Sequence, residues 1–175
     1  MDNWLTLALE CGFTRADFID TETLRPVKAV RDMCAADTCG AYGKNWTCPP
    51  HCGTLEECAQ KLRGYGHGLL VQTVRQLEKR IDTRGYAAAE EKHRESLRKL
   101  YRLLRREYPD ALCLGAGGCR VCAVCAYPES CRFPEEAMSS MEGYGLFVTG
   151  VCRENDIPYY HGEKTIAYFA CLLFD

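Results

Sequence analysis

"YAAAEEKHRESLRKLYRLLRREYPDALCLGAGGCRVCAVC", residues 86–125, carries a helix, a strand and a cysteine loop in one run. Tyr86, His93, Leu97, Leu100, Tyr101, Leu104 and Tyr108 recur at helical steps, which makes one apolar stripe over 86–108. Pro109 ends it, because proline cannot continue the amide ladder. "ALCLG", 111–115, then reads as a short strand that runs into a glycine-rich cysteine loop. On either side of this unit, "GHGLLVQTV" (66–74) and "TIAYFACLLF" (165–174) have the aliphatic and β-branched content of buried strands. A short helix and a strand near "RADFIDTETL" are expected before residue 30. "PEEAMSSM" (134–141) reads as a helix start with Pro in its first turn, and "GLFVTGVCREN" as a further helix. Residues 31–58 read as irregular, with five cysteines, three glycines and two adjacent prolines. The order predicts an α+β fold over residues 1–175: a small sheet with packed helices and two cysteine-rich metal-binding loops at its edge, in a single domain.

The chain has 175 residues, enough for a real core, and 47% of them are apolar. A formal charge of −2 selects no class of partner. No apolar run approaches the roughly 18 residues of a membrane span. "MDNWLTLALECGF" has neither a basic start nor a small-residue cleavage site, so no signal peptide is read and a cytoplasmic location is expected. Cysteine is the outlier, at thirteen. A secreted disulfide framework calls for an even count and an export signal; clustered thiols in a reduced compartment point to metal.

The second group, Cys119, Cys122, Cys125 and Cys131, has the pattern C-x2-C-x2-C-x5-C. Three cysteines at two-residue gaps suit the face of a [4Fe–4S] cubane, whereas zinc more often takes two C-x2-C knuckles set further apart. The "GAGG" before them (115–118) permits turns that aim N–H groups at sulfur, although an ordinary strand-to-loop turn needs no more than this. The first group is Cys34, Cys39, Cys48, Cys52 and Cys58. Its spacing matches no single pattern. Cys34, Cys39 and Cys48 are the expected ligands, Cys52 the fourth and Cys58 the reserve, because Thr54 and Glu57 form a capping-box pattern that puts Cys58 on a helix. Cys11, Cys113, Cys152 and Cys171 sit in apolar patterns and read as packed thiols.

"CGAYGKNWTCPP", with "GGCRVCAVCAYPESCRFPEEAMSSMEGYG" downstream, resembles an uncharacterised prokaryotic family known only as a predicted metal-binding protein, a cysteine-rich domain of unknown function. The similarity runs from about Arg31 to the C-terminus. It implies metal binding through the cysteines and carries no reaction. The likeness to ferredoxins is confined to the triple-cysteine run. The x5 gap and "CRFP" depart from the ferredoxin pattern, so that fold is not implied.

Over 84–106 eight basic side chains stand against three acidic ones. A solvated face whose glutamates pair with neighbouring bases explains this more simply than a docking face, and no aromatic RNA motif supports nucleic acid. His51 reads as an exposed loop residue, His161 as part of an aromatic turn and His93 as structural. No nucleophile elbow, zinc-protease helix or dinucleotide fingerprint is present. Three functions remain. The first is electron transfer to a redox partner through one or two [4Fe–4S] clusters. The second is an enzyme acting on a small molecule at a three-cysteine cluster, with Tyr42, Lys44 and His51 nearby. The third is a structural zinc-binding interaction module.

Overall fold

The apolar runs at 66–74 and 165–174 lack the alternation of a one-sided sheet, and the fold shows why: helices cover both faces of the strands they form. The computed structural model describes residues 3–79 and 81–175. Along the chain come α1 (Asn3–Cys11), β1 (Arg15–Ile19), α2 (Lys28–Ala35), α3 (Leu55–Leu62), β2 (His67–Gln76), α4 (Thr83–Glu107), β3 (Leu112–Gly115), β4 (Ser139–Ser140), α5 (Val148–Glu154) and β5 (Thr165–Phe174). The strands form one sheet in the order β1-β2-β5-β3-β4. Every pairing is antiparallel except β3 with β4, which is parallel.

β2 and β5 pair over their full lengths, with Leu69 opposite Leu172 and Leu70 opposite Cys171. Successive side chains point to opposite faces, so each strand feeds two cores. Leu69, Val71, Ala170, Leu172 and Phe174 pack with Trp4 and Ala8 of α1 and with Leu97, Leu100 and Leu104 of α4. Leu70, Cys171 and Leu173 pack on the other side with Leu62 of α3 and Val151 and Cys152 of α5. Each fully buried leucine contributes about 2 kcal/mol. The α+β class and the small sheet with packed helices are thus as the sequence predicts. Among the described residues no helix is long and apolar enough to cross a membrane.

Two expected elements differ. Residues 134–141 are not a helix: a turn at 134–136 leads into β4. Arg102 and Arg105 of α4 hold Glu136 and Glu135 at 3.0 and 2.5 Å, and the Met141 amide donates to Gly115 O at 3.0 Å. An eight-residue helix is marginal alone, and the edge of β3 offers backbone partners that a helix would leave unmet. Residues 31–58 are not irregular throughout. Cys34 lies in the last turns of α2, which Lys28 and Asp32 brace with an i,i+4 ion pair and Val30 anchors in the core. Its apolar stripe is one residue wide, too little to read as a period.

Candidate metal centre

The second cysteine loop leaves the end of β3 and returns at β4, so both of its limbs spring from the sheet. Arg98 of α4 donates to Arg120 O at 3.1 Å and holds the outgoing limb; the ion pairs at Glu135 and Glu136 hold the returning one. Within the loop, Arg132 donates to Val124 O and the Glu129 amide donates to Ala126 O. Gly117, at φ +68°, makes the turn that precedes Cys119, a left-handed conformation costly for other residues. Cys119, Cys122, Cys125 and Cys131 all line one cavity, which Trp46 and Thr47 of the first loop and Val121 and Phe133 of the second close off. Among the described residues the amides of Gly117, Gly118, Cys119, Arg120 and Val121 donate to no protein acceptor.

The first loop is organised by Asp37. Its carboxylate accepts from the Tyr42 amide and from Lys44 Nζ, both at 2.8 Å. These hydrogen bonds hold that carboxyl below the usual range. Lys44 is therefore engaged rather than free. Cys34 and Cys52 point toward one turn, with their thiols 3.7 Å from Glu142 O and 3.4 Å from Gly143 O. Cys39 is exposed. Cys48 abuts the other loop: a Cβ built on Gly118 would lie 3.8 Å from its sulfur. Burial raises the Cys48 thiol, Asn45 and Thr47 oppose this, and Cys39 and Cys119 add to it.

An aromatic clasp joins the loops. Trp46 donates from Nε1 to Glu129 O at 2.8 Å, and its ring meets Tyr127 at 5.1 Å and His51 at 5.6 Å. His51 and Tyr127 lie 4.5 Å apart. The expectation of an exposed His51 is thus corrected: it is half-buried between two aromatic rings. Trp46 and Tyr127 were not singled out from the sequence. The cue for Trp46 was a large aromatic side chain in a polar loop beside "CPP".

Cys58 sits on α3 as the capping pattern predicts. The Thr54 amide donates to Glu57 Oε2 at 2.7 Å, and the Glu57 amide donates to Thr54 Oγ1 at 3.2 Å. It is buried, but not as a plain packed thiol, since Arg31 Nη2 donates to its sulfur at 3.4 Å. The hydrogen bond from the neighbouring Cys52 thiol, and after it that guanidinium, lower the Cys58 thiol against the opposing effect of burial, while Cys52 is raised. Arg31 also donates to Gly53 O at 2.7 Å, which ties the loop to α2, and its role has no sequence signal. Cys113, Cys152 and Cys171 are buried core thiols, as expected, and Cys11 is half-buried.

All thirteen cysteines are free thiols. Among the described residues no three His, Cys, Asp or Glu side chains are gathered in ligating geometry. The donor set nevertheless fits a soft, thiolate-seeking metal or cluster: four thiols line one cavity, a fifth borders the same loop, and unspent amides stand beside them. No curated protein and no solved structure matches the chain. The family described as "Predicted metal-binding protein (DUF2284)" matches residues 17–174, from β1 to the end of β5 and across both cysteine loops, and the chain belongs to it.

Proposed function

We propose that this protein carries one or two [4Fe–4S] clusters in its cysteine loops and passes electrons to a redox partner. The observation that carries the reading is the convergence of Cys119, Cys122, Cys125 and Cys131 on one cavity. These four would hold one cluster, and Cys34, Cys39, Cys48 and Cys52 are the donors for a second. When bound, such a cluster supplies one-electron redox chemistry, at a potential set by hydrogen bonds to sulfur and by solvent exposure. This chain offers both controls. The unspent amides at 117–121 stand ready to donate to sulfur, and Trp46, Val121 and Phe133 give the cavity an apolar lining. The basic side chains of α4 beside the loop would attract an acidic partner.

One observation favours an open, three-thiol site in the first loop. The Cys52 thiol is tied by a hydrogen bond to Cys58, whose sulfur accepts from Arg31, and burial raises it further; with Cys52 so engaged, Cys34, Cys39 and Cys48 would form the set. Such a site would suit chemistry on a small molecule.

Anaerobic purification, with a visible spectrum and iron, sulfide and zinc counts per chain, tests the proposal. A brown protein with a band near about 400 nm and about eight irons supports two clusters; about four irons leave the second loop alone loaded. Cys122→Ser should remove the iron of the second loop and lower the melting temperature, because metal binding there is folding free energy. A colourless protein with one zinc per site overturns electron transfer and leaves a structural module.

A further inference from the structure

The first cysteine loop is also a wall of the second site. Asn45, Trp46 and Thr47 line the cavity that holds Cys119, Cys122, Cys125 and Cys131, and Cys48 is the next residue along the chain. The turn that places them is fixed from within. Asn45 Oδ1 accepts from the Thr47 amide at 3.1 Å and from Thr47 Oγ1 at 3.0 Å, and the Gly43 amide donates to Pro49 O at 2.8 Å. The Cys52 amide donates to Cys48 O at 3.1 Å, which carries the turn on to the next thiol of the first group. Thr47 is only 8% exposed, so the junction is packed rather than solvated.

From that turn Cys48 meets both loops. A Cβ on Gly118 would stand 3.8 Å from its sulfur, in ordinary van der Waals contact, and Gly118 is the residue before Cys119. The Cys119 thiol is close enough to act on the Cys48 thiol electrostatically, as Cys39 does from the first loop. Cys34 and Cys52 each feel Cys48 in the same way. Cys48 itself stays outside the second cavity, whose four thiols all come from the second loop. It is therefore a thiol of the first group that lies against the peptide leading into the second. The clasp holds this junction together, because Trp46 is bonded to Glu129 O of the second loop and leads through Thr47 into Cys48.

We propose that the two cysteine groups form one coupled pair of redox centres, with electrons passing between them across the contact of Cys48 with Gly118 and Cys119. This rests on the reading that both loops carry clusters. Electron exchange falls off exponentially with separation, and here a donor of one centre is in contact with the backbone beside a donor of the other. In each exchange one electron leaves one centre, which is oxidised, and enters the other, which is reduced; no bond breaks and no proton is released. A one-electron donor fills the pair in two steps, so the protein hands on two electrons in succession rather than one.

The test is a reductive titration of the full-length protein, purified anaerobically, with dithionite as the donor and electron paramagnetic resonance as the readout. Iron is counted on the same samples. While less than one electron per chain has entered, the signal should be simple, because a single reduced centre has no paramagnetic neighbour. The second electron should split it, and the splitting should stay constant in field when the microwave frequency is changed. Cys122→Ser and Cys34→Ser, each left with one loaded loop and about four irons, should lose the splitting altogether. Should a variant not fold, the two steps of the parent carry the test by themselves. Two simple, additive signals from a protein with about eight irons overturn the coupling and leave the clusters standing. A parent with about four irons overturns the coupling as well and leaves a carrier with one centre. Stoichiometric zinc without iron overturns both proposals.

Discussion

Trp46 is the side chain that fastens the two cysteine loops together. It lies two residues before Cys48, donates to Glu129 O and packs on Tyr127 and His51. Trp46→Ala removes one hydrogen bond and two ring contacts and should cost about 2 kcal/mol. The same change opens the cavity that holds Cys119, Cys122, Cys125 and Cys131, so metal should pass to an added chelator several-fold faster than from the parent. Unchanged kinetics would show that the clasp does not shield the thiols. The cysteine groups themselves were legible in the sequence because ligand spacing is a local property. Their neighbours were not. Arg31 reaches Cys58 across 27 residues, and the carbonyls of Glu142 and Gly143 face Cys34 and Cys52 across about 100, with no periodicity to announce either.

Local chemistry decides most of the elements. α3 begins at Thr54 because the capping box satisfies two amides at its start. Thr54→Ala should cost about 1 kcal/mol and lower the melting temperature by about 2–4 °C, with the metal content of the second loop unchanged. A loss of that metal would mean that α3 positions both loops. α4 was legible for a different reason: seven turns of periodic apolar side chains outweigh any local alternative. The segment 134–141 shows the limit. Its proline and glutamates spell a helix start, but Arg102, Arg105 and the edge of β3 offered better partners. Those partners lie more than 20 residues away, outside any window of local propensity.

At the level of the folded chain, His93 joins α4 to the sheet. Burial holds its imidazole down at about 4, while in the unfolded chain it titrates near about 6.5. Above the unfolded value both states are neutral and this contribution is fully present. As pH falls toward the folded value, the unfolded chain takes up the proton first, so stability is lost across that window, by about 3 kcal/mol in all. Urea midpoints at a series of pH values should show the decline, and His93→Gln should flatten it; a parallel decline in the variant would assign the slope to other groups.

The thirteen cysteines and their two groups, the long helix, the three apolar strands and the absence of a familiar catalytic motif all follow from residues read in order. Each is set by contacts within a few residues or by composition. Which thiols share a cavity, where Cys48 meets the second loop, what Trp46 clasps and how His93 comes to lie buried above Thr73 were decided only when the sheet brought β3, β5 and β2 side by side. The physical reason is that packing two cores against both faces of one sheet fixes distances between segments that no local pattern encodes.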